Sequence, residues 1–169
     1  MMKSYELLAF MSLDLAQEIL EFAFEYDKEL YKVALKTVAE NRKLRPIYLE
    51  RKSRKERHVL MIKALCGPAL DTVTSNIIRN WLIKGQKDML VDFLGELGIE
   101  HKDGVVDELP ESVETEKLKS AIDMLLGKYP PEKVTIYLYA FNEMEDSRWS
   151  NLAEILEDDS RLELDLTAA

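Results

Sequence analysis

The chain has little of what usually announces a function. Of its 169 residues one is cysteine, Cys66, and two are histidine, His58 and His101. A single thiol excludes an internal disulfide and any zinc site built on several cysteines. A mixed site would need carboxylates to complete it. The six glycines are scattered, and none falls in a phosphate loop or a Gly-x-Ser-x-Gly elbow; a His-Glu-x-x-His helix is absent too. No uncharged apolar run approaches the roughly 18–20 residues that cross a bilayer, so no membrane association is expected. The opening stretch MMKSYELLAFMSLDLAQEIL is broken by Glu6 and Asp14 and lacks a small-residue cleavage site, so no signal peptide is expected. With the unpaired cysteine, the expected location is cytoplasmic.

Apolar periodicity is plentiful, and its period is helical. From Ser12 to Ala39 it runs through Ala16, Ile19, Leu20, Ala23, Tyr26, Leu30, Val33, Ala34 and Val38, in steps of three and four. Ser12 suits an N-cap, and Asp27 suits a restart within the stretch. This predicts two helices with a tight joint, with one long helix as the rival. Pro46 fits the first turn of a short segment over 46–50, after Arg45, which a following proline keeps out of the α region. Ser53 with Glu56 reads as a capping box for a helix that stops at Gly67-Pro68. Leu70, Val73, Ile77 and Trp81 carry the next helix. Met89 to Leu97 follow, with Gly98 as the terminating glycine. Residues 99–112 lack a period and are expected to be a loop. Further helices are predicted from about Val113 to Gly127, after Pro131, and around Leu152 to Leu156. The segment 134–141, VTIYLYAF, has strand-forming residues but also a helical face; a lone strand would leave its backbone unpaired, so it is read as helix. Residues 158–169 are read as an acidic tail. The expectation is an all-α chain of seven or eight helices in one domain over 1–169, an irregular bundle or stacked helical hairpins.

Charge is the most informative feature. The net charge is −9. Between Arg42 and Lys63 stand nine basic residues against Glu50 and Glu56, so 22 residues carry +7 and the other 147 carry −16. The candidate binding residues for an anionic partner are Arg42, Lys43, Arg45, Arg51, Lys52, Arg54, Lys55 and Arg57. Phosphates of a nucleic acid would answer such a cluster; so would an acidic protein surface, or the chain's own acids. Asp92 to Asp123 holds ten acids against three lysines, −7 in all. The overall sign repels nucleic acid, and only Tyr48 lies within the run to stack on a base. The helix–Gly67-Pro68–helix order resembles a helix-turn-helix in outline only, since Asp71 would face phosphates and bases are sparse around Thr72, Asn76 and Arg79.

Candidate chemistry is thinner still. His101, Asp103 and Asp107 do not fit an EF-hand, because aligning Gly104 at its sixth position puts Ile99 first and Pro110 last. Cys66 with His58 or His101 would be a nucleophile and base without a local signature. The expectation is therefore no catalytic residue, no metal and no cofactor. Tyr129, Tyr137, Tyr139 and Phe141 have apolar company on more than one side and belong either to the core or to an interface. The functional expectation is a non-enzymatic protein that meets a protein partner, or a second copy of itself, through these aromatics or the basic segment. Nucleic-acid association through 42–63 and a helical enzyme with a site near His101 or His58 are the alternatives.

Overall fold

The computed structural model describes residues 2–144 and 149–164. These residues are all-α: ten α-helices and several tighter or wider turns, with no strand beyond one isolated bridge. The described residues up to Trp81 form one compact unit, and those from Leu82 to Leu164 form a second. No helix among them is long and apolar enough to cross a membrane.

The first unit holds α1 (Ser4–Phe10), α2 (Leu13–Tyr26), α3 (Lys28–Asn41), α4 (Pro46–Glu50), α5 (Arg54–Leu65), a 3-10 turn at Pro68–Leu70 and α6 (Asp71–Asn80). The side chain of Ser12 accepts from the Leu15 amide, Asp27 from Leu30 and Ser53 from Glu56. Each supplies an acceptor to a helix start that has no intrahelical one. Asp27 both ends α2 and caps α3, which is the expected joint. Pro46 opens α4, where its missing N–H costs nothing. The apolar stripes of α2 and α3 then bury Ile19, Leu20, Ala23, Ala34, Leu35 and Val38. α2 packs on α3, α5 and α6, and α1 lies along α6. Thr74 is buried and its hydroxyl donates to the carbonyls of Leu65 and Leu70, at 2.8 and 3.1 Å. It thereby ties the end of α5 to the turn before α6.

Expected helices number seven or eight, and ten are present among the described residues. α1 and the five-residue α4 make the difference. α1 has no capping side chain of its own at Lys3. Its Tyr5 amide donates instead to the Asp71 carboxylate, 3.0 Å away and 66 residues on.

A π-helical turn, Trp81–Gly85, follows α6. The second unit holds α7 (Lys87–Glu96), α8 (Thr115–Lys128), α9 (Pro131–Met144), α10 (Ser150–Asp158) and a 3-10 turn at Ser160–Leu162. Residues 134–141 are helical, inside α9, and Val134 through Leu138 are all buried. A helix covered on every side has no polar stripe to show, which is why its sequence looked strand-like. Phe93 meets Phe141 edge-on at 5.3 Å between ring centres, and Phe141 meets Trp149 at 5.4 Å. Between α7 and α8 no residue is helical; Lys102 and Val105 exchange both backbone hydrogen bonds across Asp103 and Gly104. Asp103 (φ 54°) and Gly104 (φ 85°) are both left-handed, as a tight two-residue turn requires. Of residues 158–169, Leu162 is buried, Arg161 pairs with Asp123 and Asp159, and 165–169 lie outside the described residues.

Candidate functional site

The basic segment divides three ways on the first unit. Arg54 and Lys55 turn toward α2. Arg54 forms an ion pair with Glu21 and lies over the Phe24 ring, 4.5 Å from its centre. Lys55 borders a cleft shared with Asp14, Glu18 and Glu21. This side of the segment is answered by acids of the same unit.

Arg57 turns inward. Its Nε donates to the Leu49 carbonyl at 3.2 Å, and its Nη2 to those of Glu50 and Lys52 at 3.4 Å. These carbonyls close the α4 end, where an arginine complements the helix dipole. Nη1 donates to the Tyr31 hydroxyl at 3.2 Å. Arg57 fastens α4 and the turn after it onto α3 and α5.

Arg42, Lys43, Arg45, Arg51 and Lys52 turn outward. The first four are exposed, and none has a carboxylate of any described residue within ion-pair distance. Lys52 sits over the Tyr48 ring at 4.8 Å. α4 holds to the unit by Leu49 alone among its large apolar residues, while Ile47 and Tyr48 face out at 51% and 50% exposure. Leu44, just before α4, is 37% exposed. Five outward cations and three outward apolar side chains therefore share the stretch 42–52. Two of the ten acids of 92–123 meet cations within the second unit: Asp92 with Lys128 at 2.7 Å, beside the Tyr129 hydroxyl at 2.6 Å, and Asp123 with Arg161 at 2.8 Å.

The two histidines do structural work. His58 is buried, its Nε2 2.8 Å from the Tyr31 hydroxyl and its Nδ1 3.7 Å from Glu21 Oε2. Burial, with Arg57 and Arg54 beside it, pushes its pKa down to about 4. Burial raises that of Tyr31 in spite of Arg57. A carboxylate, an imidazole and a hydroxyl thus stand in line, as in a catalytic triad. The lowered imidazole and the tightly held phenol proton make transfer between them unfavourable, and Arg57 already donates to the same hydroxyl. His101 Nδ1 accepts from the Gly104 amide at 3.1 Å and so steadies the turn of its own loop. Burial also raises the Cys66 thiol, which disfavours the thiolate a nucleophile needs. No group of three metal-ligating side chains exists among the described residues.

The aromatic candidates separate. Tyr137 and Phe141 are core residues of the second unit. Tyr139 donates to the Leu156 carbonyl at 3.3 Å, and Tyr129 to Asp92. Tyr129, held by burial and by Asp92, has its pKa pushed up to about 12. What the charge run did not reveal is a second set of cations, Lys28, Lys32 and Lys36, on the exposed face of α3. Their four-residue spacing was the available signal. No family model, curated protein or solved structure matches the chain.

Proposed function

We propose that the protein is a non-enzymatic interaction module of the cytoplasm, and that it meets an acidic protein surface through the outward face around α4. One observation carries this reading: Arg42, Lys43, Arg45 and Arg51 are exposed without described acidic partners, and the exposed Leu44, Ile47 and Tyr48 lie between them in the sequence, with Glu50 the one exposed acid of the stretch. Exposed apolar side chains grouped together mark contact surfaces more often than scattered ones do. Arginine and tyrosine are the residue types that dominate interface energetics. Unneutralised cations speed encounter with an acidic partner and select against basic ones. The same surface with Tyr48 as a stacking face supports nucleic-acid binding as a second reading, against the net charge of −9. The enzymatic reading has no comparable support, since His58 and His101 are engaged in the fold.

A photo-crosslinking residue at Tyr48, introduced in living cells, tests the proposal. Proteins crosslinked there should be acidic and should be lost when Arg42, Arg45 and Arg51 are changed together to Glu. Light scattering of the purified chain shows whether the partner is a second copy. Filter binding to single-stranded RNA and duplex DNA at low salt, where the electrostatic term is strongest, tests the second reading. Crosslinks that survive charge reversal, or none at all, overturn the protein-partner reading.

A further inference from the structure

A cleft of about 590 Å³ opens on the first unit, bordered by α2, α3, the end of α4 and α5. That volume lies within the range of small-molecule sites. Phe24, Tyr31 and Leu35 contribute its apolar lining. Phe24 and Tyr31 stand edge to face, 5.1 Å between ring centres at 81°, a favoured arrangement of two rings.

The rim is basic. Lys28, Lys32 and Lys36 line one side. They sit four residues apart on α3, which puts them in one row with steps of about 6 Å. Lys32 has Glu29 at 3.9 Å, whereas Lys28 and Lys36 have no carboxylate of a described residue within ion-pair distance. Arg57 lines the cleft as well. Three carbonyls and the Tyr31 hydroxyl hold its guanidinium still, and none of these carries a charge to cancel its own. Of the five N–H donors of an arginine, those four bonds leave one Nη1 hydrogen. Glu50 is the one acid among the lining residues, so four cations face one carboxylate.

That balance suits a dianion better than a monoanion, because Coulomb attraction scales with ligand charge. A phosphomonoester carries about −1.5 to −2 at pH 7 and offers three acceptor oxygens. An arginine already fixed in place loses little freedom on binding it. We infer that this cleft binds a phosphomonoester, its phosphate among Lys32, Lys36 and Arg57 and its apolar body, an aryl or similar group, against Phe24 and Leu35. The inference is independent of the α4 surface, since it uses none of Arg42, Arg45 or Arg51. An aryl phosphate reaches such a site as a free small molecule or as a phosphotyrosine, and the chemistry of recognition is the same.

The test is a titration of the full-length protein followed by backbone amide NMR, at constant ionic strength. Phenyl phosphate should shift amides around Phe24, Lys28 to Lys36 and Arg57 in a saturable way. It should bind at least about tenfold more tightly than inorganic phosphate, and phenol should not bind, since charge and apolar body act together. Lys32→Glu with Lys36→Glu, both exposed and outside the core, should weaken phenyl phosphate at least about tenfold with the spectrum of the fold retained. A short phosphotyrosine peptide that binds more tightly than phenyl phosphate would support the site and identify a phosphorylated partner as the source. A peptide that binds no better would support it with a free molecule as the source. Equal affinity for phenyl phosphate and inorganic phosphate, indifference to the double substitution, or shifts elsewhere would overturn it.

Discussion

The Tyr31 hydroxyl lies 2.8 Å from His58 Nε2 inside the first unit. Arg57 donates to the same hydroxyl, which leaves the tyrosine's own hydrogen for Nε2. His58 is then the neutral acceptor that this packing requires, and its pKa falls from 6.5 to about 4. The unfolded chain would take up a proton near pH 6.5, and the folded one would not. The stabilisation is therefore complete above pH 6.5 and declines as the pH drops toward 4. The shift corresponds to on the order of 3 kcal/mol. Urea denaturation at pH 7 and pH 4.5 should show a larger loss for the native chain than for His58→Gln, whose amide does not titrate. Equal losses would mean that His58 does not govern the acid sensitivity.

Arg57 joins three carbonyls and a hydroxyl, so its role depends on the guanidinium fork and not on charge alone. A lysine keeps the charge and loses the fork. Arg57→Lys should therefore destabilise the protein by about 1–3 kcal/mol, as expected when hydrogen bonds to a charged donor are lost. Thermal unfolding measures this. A change below about 0.5 kcal/mol would show that α4 is held by Leu49 and not by Arg57.

The elements that announced themselves in the sequence are those whose caps are local. Ser12, Asp27 and Ser53 lie three residues from the amides they cap and Pro131 is the first residue of α9, and the helices they open are where the pattern puts them. α1 was less legible: Glu6 accepts locally from the Lys3 amide, but no Ser, Thr, Asp or Asn stands at its N-cap, and its Tyr5 amide meets Asp71 from a different part of the chain. The all-α class followed from periodicity, which left α9 between the core and an interface, since residues 134–138 carry no contrast between faces. At the site, charge density located the segment but not its division. Composition cannot tell that Arg54 meets Glu21, that Arg57 meets carbonyls and that Arg51 meets solvent. Lys28, Lys32 and Lys36 escaped for the opposite reason: they are spaced too widely to register as a cluster, and only helical geometry puts them on one face.

Trp149 couples packing to the long loop of the second unit. Its ring is buried against Phe141, and its indole N–H donates to the Pro110 carbonyl at 2.9 Å. Phenylalanine keeps an apolar ring there but cannot donate. Trp149→Phe should cost about 1–3 kcal/mol, from the unsatisfied carbonyl and the smaller side chain. It should also speed amide hydrogen exchange in residues 105–113 more than in α8. Exchange that rises equally in both would indicate general loosening, not release of the loop.

Lys43 connects stability to the proposed surface. It occupies the left-handed region at φ 56°, just past α3, where the Leu44 amide bonds back to the Ala39 carbonyl at 2.8 Å. Helices that end this way favour glycine, because a Cβ crowds the following carbonyl. A lysine there keeps a strained backbone within the outward basic stretch, and strain of this kind concentrates at functional positions. Lys43→Gly should therefore raise stability by about 0.5–1 kcal/mol in chemical denaturation. If the surface around α4 binds an acidic partner, the same change should weaken that binding, in contrast to a glycine placed at a neutral helix end. Stability gained with crosslinking at Tyr48 undiminished would mean that Lys43 is retained for some purpose other than the partner.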